Sequence, residues 1–112
     1  MAEHRQLPPA LDSYDLEEVE APLGEGKRMV KATKVTIHGR NIFQRALEPI
    51  VRIGDVEVLH PRIEPDEQTI VGYLTTVPAE GTQIQLEYRG QEPVKLAEAF
   101  TMKKVKGTQA SP

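Results

Sequence analysis

The chain is predicted to be all-β, a two-layer antiparallel sandwich, and three observations predict it. Apolar and polar residues alternate over short runs, most cleanly across residues 82–88, where Ile84, Leu86 and Tyr88 share one face and Gln83, Gln85 and Glu87 the other. Nine prolines and eight glycines fall between such runs, where they stop strands and supply turns. Leu, Ile and Val are frequent, aromatics make up only 4% of the chain, and helical periodicity is scarce. A chain of 112 residues has room for one domain, and a sandwich of about 80 to 100 residues buries enough surface to fold unaided.

Residues 1–26 read as an acidic, proline-containing N-terminal arm. Seven acids (Glu3, Asp12, Asp15, Glu17, Glu18, Glu20 and Glu25) stand there against Arg5 alone, and Pro8-Pro9 and Pro22-Leu23-Gly24-Glu25-Gly26 interrupt it. Regular structure is expected in the arm only as an extended or short helical piece over residues 13–19, capped by Asp12 or Ser13. The domain is expected over residues 27–106, with 107–112 as a C-terminal tail.

Between Met29 and His38 the pattern changes register around Lys31 to Thr33, which reads as a bulged strand. Beyond it Val35 and Ile37 share one face and Lys34, Thr36 and His38 the other. Gly39 supplies a positive-φ turn that Asn41 caps. Residues 50–53 and 56–59 form a hairpin about Gly54-Asp55, since a glycine there suits the tight turns that match strand twist. His60-Pro61 and Glu64-Pro65-Asp66-Glu67 break pairing. Residues 68–77 then give a strand with Ile70, Gly72 and Leu74 on one face, Gly72 marking a bulge or close approach. After 82–88, Arg89-Gly90-Gln91-Glu92 turns the chain towards Val94, Leu96, Phe100 and Met102, and Lys103-Lys104-Val105-Lys106 reads as a fraying exit. The expected core is Ile37, Val51, Ile53, Ile84, Leu86 and Phe100.

Four segments carry a family resemblance. Val35-Thr36-Ile37-His38-Gly39-Arg40-Asn41-Ile42 is a β-branched strand running into Gly-x-Asn and an apolar residue, and Val51-Arg52-Ile53-Gly54-Asp55 is a short strand ending in a glycine turn. Thr69-Ile70-Val71 through Thr76-Val77-Pro78 is a strand stopped by proline, and Ala99-Phe100-Thr101-Met102 holds a late aromatic. In order and spacing they resemble the landmarks of an IPT/TIG domain, over about two thirds of the chain. The resemblance implies an immunoglobulin-like antiparallel β-sandwich of about seven short strands. It also implies protein–protein interaction or a structural role inside a larger assembly. Relatives in transcription factors and in starch-active enzymes imply nucleic-acid or carbohydrate binding as alternatives.

Catalytic chemistry finds little support in the residues. There is no cysteine, which removes disulfides, thiolate nucleophiles and cysteine-based zinc sites. The two serines, Ser13 and Ser111, fall in the expected tails, where a rigid triad has no footing. His4, His38 and His60 lack metal-ligand spacing. Glu57, Glu87 and Glu98 are expected on exposed strand faces or loops, without the cleft that a glycosidase pair needs. Gly24-Glu25-Gly26-Lys27 lacks the first glycine and the hydroxyl of a phosphate loop. The single asparagine, Asn41, is followed by Ile42-Phe43, so no N-glycosylation acceptor exists. No catalytic residue, metal or cofactor is therefore expected, and the chain is expected not to be an enzyme.

Binding is better represented. Lys27, Arg28, Lys31, Lys34 and Arg40 make an acid-free basic run that phosphates could contact. The acidic pI of about 5.6, the acidic arm beside it and the lack of interleaved aromatics argue against nucleic acid. Carbohydrate binding usually needs exposed aromatic platforms; there is no Trp, Tyr88 reads as core, and Tyr73 alone is placed to serve. The arm is either a solvated tail near the basic run or a docking segment. Leu11, Tyr14, Leu16 and Val19 are more apolar than a solubility tail requires, so a partner, another subunit or the domain itself is expected to cover them, their acidic neighbours meeting a basic rim of Lys27, Arg28, Lys31 and Lys34. No apolar run approaches the roughly 18 residues of a membrane span, and no signal-like segment follows Met1-Ala2-Glu3-His4-Arg5. If intact, the chain is expected in the cytoplasm.

Overall fold

The structure, a computed structural model, describes residues 7–44 and 47–106. His4, Ser111 and the expected tail at 107–112 lie outside the described residues. Nine strands are described: β1 (Ala10–Ala21), β2 (Val30–Arg40), β3 (Ile50–Ile53), β4 (Val56–Glu57), β5 (Leu59–Ile63), β6 (Thr69–Leu74), β7 (Ile84–Glu87), β8 (Val94–Lys95) and β9 (Val105–Lys106). They form a five-stranded sheet in the order β5-β6-β2-β1-β9 and a four-stranded sheet in the order β4-β3-β7-β8. Each pairing of strands within the sheets is antiparallel except that of β9 with β1. The all-β antiparallel sandwich is thus present, with nine strands where about seven were expected.

The two inner faces meet in one apolar core. Ile37, Val51, Ile53, Ile84, Leu86 and Phe100 are each exposed by 1% or less, as their strand faces predict. Tyr14, Leu16, Val35, Ile42, Ile70 and Leu96 join them at full or nearly full burial. Covering an apolar side chain of this size stabilises the fold by roughly 1.5–3 kcal/mol, and with no disulfide to restrain the unfolded chain, packing carries the load.

The largest correction concerns the N-terminus. Residues 10–21 are not an arm but a full strand, paired with β2 from Ala10↔Arg40 to Ala21↔Val30. The domain therefore starts well before residue 27. A bulge between Leu11 and Ser13 shifts the register, so Leu11, Tyr14 and Leu16 all reach the core although their spacing is not even. No register shift occurs on β2 at Lys31 to Thr33, where the sequence suggested one; the bulge lies on β1.

Two glycines have different duties from those expected. Gly39 is not a turn residue: it lies within β2, and a Cβ there would come 2.5 Å from the Ala10 carbonyl oxygen. The left-handed residue is Asn41 (φ 57°), whose Nδ2 donates to the Pro8 carbonyl at 3.4 Å. Gly72 does mark a close approach, since a Cβ would lie 2.3 Å from Val58 Cγ1. Val58 is buried at the point where the chain leaves the four-stranded sheet after β4 and enters the five-stranded sheet as β5.

Four further expectations also differ. His60-Pro61 does not stop pairing: β5 runs through it as an edge strand, absorbing the break in a bulge with His60 at φ 52°. β6 ends at Leu74, short of Val77. Phe100 is buried from a loop, held by its N–H donating to the Thr82 carbonyl and its own carbonyl accepting from Gly81, each at 2.9 Å. The end at 103–106 does not fray; a 3-10 turn, Met102–Lys104, leads into β9, which lies against Leu16 and Glu17 of β1.

Candidate interaction surface

The acidic run and the basic run of the sequence are the two strands of one hairpin. Across the β1–β2 register, Glu17 stands opposite Lys34 and Glu20 opposite Lys31. Asp12 accepts from the Arg40 guanidinium at 3.0 Å, and Asp15 Oδ2 lies 3.1 Å from His38 Nε2. Such exposed pairs stabilise by no more than about 1 kcal/mol each, so they select the register more than they hold the fold.

β1 is held on its other side by the C-terminal segment. The Tyr14 hydroxyl donates to the Ala99 carbonyl and accepts from the Thr101 N–H, both at 2.9 Å, and its ring stacks on Phe100 at 6.3 Å between centroids. The Lys104 ammonium sits 4.1 Å from the centre of the Tyr14 ring, donating to the Tyr14 carbonyl at 2.7 Å and to Glu98 Oε1 at 3.2 Å. Burial raises the Tyr14 pKa; the Thr101 N–H opposes that rise, and the Glu98 and Glu80 carboxylates add to it.

Past Leu16 the hairpin outruns the rest of the sandwich. β6 pairs with β2 only from His38 to Thr33, whereas β1 accompanies β2 to Val30. By strand parity the inward series Tyr14, Leu16 continues as Glu18 and Glu20, and Ile37, Val35 continues as Thr33 and Lys31. Glu18, Glu20 and Lys31 are exposed, so the opposite sheet does not cover them. Here the five-stranded sheet leaves an open groove of about 520 Å³, lined by Glu18, Glu20, Lys31, Thr33, Leu74 and Val77 among others. Val77 is 61% exposed. On the side of β1 away from β2, β9 pairs with Leu16 and Glu17 only, and among the described residues no strand pairs with residues 18–21 there.

The residues singled out for docking separate in the structure. Leu11, Tyr14 and Leu16 are buried in the chain's own core, so they are not a surface for a partner. Val19 is half-buried on the outward face opposite Ala32. The four bases do not form one rim: Lys27 and Arg28 lie at the hairpin turn, Lys31 on the inward face of the groove, and Lys34 on the outward face opposite Glu17 and Tyr73. Tyr73 is half-buried between Lys34 and Leu59. The groove itself, and the strand edge beside it, escaped sequence reasoning. The one local trace was the switch from Leu16 to Glu18 and Glu20 at constant parity.

Elsewhere the surface is committed to structure. Ser13 stands opposite His38 on a strand, not in a tail, and among the described residues no hydrogen bond joins the two. A second, shallower depression includes Lys34, Glu64, Asp66 and Val71. Asp66 there is occupied in its own turn, accepting from the Gln68 N–H at 2.8 Å and the Thr69 hydroxyl at 2.7 Å, and these bonds lower its pKa. Among the described residues no group of three His, Asp or Glu side chains could hold a metal ion, and no helix is long and apolar enough to cross a membrane. A scan of protein-family models, a search of curated proteins and a search of solved structures each return no match to the chain.

Proposed function

We propose that the chain is a non-catalytic protein–protein interaction module that docks a partner on the overhang of its five-stranded sheet. One observation carries this reading: among the described residues the sheet continues past Leu16, Val35 and Leu74 without an opposing layer and leaves a groove at one end of the molecule. A groove walled by carboxylates, an ammonium and threonine hydroxyls over Leu74 offers hydrogen bonds, charge and apolar contact together, which is what an interface uses. It offers no pair of groups joined as acid and nucleophile. The IPT/TIG resemblance supports the same kind of role. It now rests on the groove, since β1 belongs to the fold and is not a separate latch.

Site-specific photocrosslinking tests this directly. A photoreactive residue at Lys31 or Val77 is expected to give a discrete covalent adduct with a partner in extract from the protein's own source, and one at Arg52, on the opposite sheet, is expected to give none. Equal labelling from Arg52, or no adduct from either groove position, would reject the assignment.

A further inference from the structure

We propose that the outward face of the projecting hairpin is a self-association surface, on which a second copy of the chain stacks with β1 of each copy over β2 of the other. This face lies behind the groove, which Val19 and Ala32 border, and its role is separate from the groove's.

The alternation of the hairpin inverts along its length. Near its base Tyr14, Leu16, Val35 and Ile37 point inward, and Asp15, Glu17, Lys34 and His38 take the outward positions. In the projecting half the outward positions hold Val19, Ala21, Val30 and Ala32, while the inward ones include Glu20 and Lys31. A sheet face carries apolar side chains where an apolar layer covers it. The four-stranded sheet packs on the other face, and among the described residues no sheet lies over this one. Ala21 and Ala32, though only 3% and 8% exposed, are no part of the core that joins the sheets, and Val19 and Val30 are half-buried.

Register identifies the covering layer as a second copy. Val19 stands opposite Ala32 and Val30 opposite Ala21, so each cross-strand pair sets a tall side chain beside a short one, with the valines on a diagonal. A two-fold axis running along the hairpin between its strands brings β1 over β2 of the second copy. Val19 then meets Ala32 of the second copy and Val30 meets its Ala21, tall above short, as stacked sheets interdigitate. The same axis sets Glu17 over Lys34 of the second copy and Lys34 over its Glu17, so carboxylate meets ammonium twice at the base end of the patch. Stacking tip over base about the middle of the patch fits poorly. It lays each strand over its own counterpart and brings Lys34 towards Arg28 of the second copy, like charge on like.

Sedimentation equilibrium of the full chain from about 10 µM to about 1 mM tests the assignment. The chain is expected to dimerise within that range, and Val30→Glu, with its fold checked by NMR, to stay monomeric. Glu17→Lys and Lys34→Glu, each alone, set like charges across the interface and are expected to weaken the dimer by about tenfold or more. Mixed in equal amounts, these two variants match Lys with Glu at both sites, and the mixture is expected to dimerise as the unaltered chain does. Each chain in the mixture keeps its own like-charged pair at 17 and 34, so recovery reports contact between copies and not repair within one. If Val30→Glu fails to fold, the mixture decides alone. The proposal is overturned if the chain stays monomeric to about 1 mM, whether the face is then covered by another protein or by the chain itself. It is overturned equally if folded Val30→Glu dimerises unchanged, or if the mixture associates no better than its components. A monomeric chain whose groove still crosslinks to a partner leaves the docking role standing, so the two readings fail separately.

Discussion

From Ala10 to Leu16, β1 sends Leu11, Tyr14 and Leu16 into the core; from Glu17 to Ala21 the same strand, paired with the same neighbour, sends Glu18 and Glu20 to the same face. Both halves are extended and paired with β2, so that pairing does not explain the change. What differs is the layer opposite. Over the first half lies the four-stranded sheet and the loop carrying Phe100; over the second there is open groove. An inward position is apolar only where something apolar covers it, and charge is cheap where water does. The projecting half can therefore face a partner without cost to the core, which is why a binding role is assigned to it and not to the residues that the sequence first marked.

Substitution of Tyr14 should break the covered half most severely. Tyr14→Ala is expected to lose about 3–5 kcal/mol in urea unfolding, as large aromatic truncations in cores do. Tyr14→Phe keeps the ring on Phe100 and beneath Lys104 and should lose about 1 kcal/mol for the hydroxyl's two hydrogen bonds. Glu20→Ala, one turn of the pleat into the projecting half, should change stability by less than about 0.5 kcal/mol. If Glu20→Ala proves as costly as Tyr14→Ala, the two halves are not distinguished by coverage.

Gly72→Ala comes next. The added Cβ would press on buried Val58, for an expected loss of about 1–3 kcal/mol. In a Val58→Ala background the same change should cost less, and a double-mutant cycle by denaturant titration reads the difference. Strict additivity would mean that the crossing of the chain between sheets is not the tight point.

A smaller effect should appear in alkali. Tyr88, 2% exposed and donating to the Ile42 carbonyl, has its pKa pushed up to about 12 by burial, against about 10 in an unfolded chain. The fold thus favours the protonated phenol. Its contribution is complete below pH of about 10, and is lost as pH rises from there to about 12, because the unfolded chain ionises first. The raised Tyr14 pKa acts in the same direction. Urea midpoints should fall through that window, and less steeply in Tyr88→Phe.

The outward ion pairs sit at the bottom of the order. Asp12→Asn removes the partner of Arg40 and should cost less than about 1 kcal/mol, vanishing at high salt because both groups are exposed and screened. A larger, salt-resistant loss would show that the hairpin depends on its charges and not on its core half.

Legibility in the sequence followed locality. Ile84 and Leu86 alternate without interruption, and the Gly54-Asp55 hairpin needs only adjacent residues, so both could be read off the chain and are seen, with Gly54 at φ 61°. Leu11, Tyr14 and Leu16 could not be read as one face, because the bulge after Leu11 breaks their period and because their partners, Ile37 and Val35, lie far along the chain. One long-range signal was present: acids at 17 and 20 mirror the bases at 34 and 31 about the intervening turn, the charge pattern of an antiparallel pair. Read as composition, it looked like an arm beside a basic patch. Read as register, it is a hairpin. Of the groove's lining, sequence reasoning had singled out only Val19 and Lys31, since Leu74 and Val77 approach Thr33 only through the pairing of β6 with β2.

By itself the amino-acid sequence determined the class of fold, the apolar faces of the strands and a core that must hold without cysteine, because alternation, turn chemistry and residue type are local properties of the chain. Tertiary structure alone decided that residues 10–21 are sheet and not arm, that Gly39 is a point of contact and not a turn, and that β1 outruns the layer opposite it. Those outcomes depend on which distant strand supplies the missing hydrogen bonds and on where the second sheet stops, and of that β1 itself carries only a trace, the switch from Leu16 to Glu18 and Glu20.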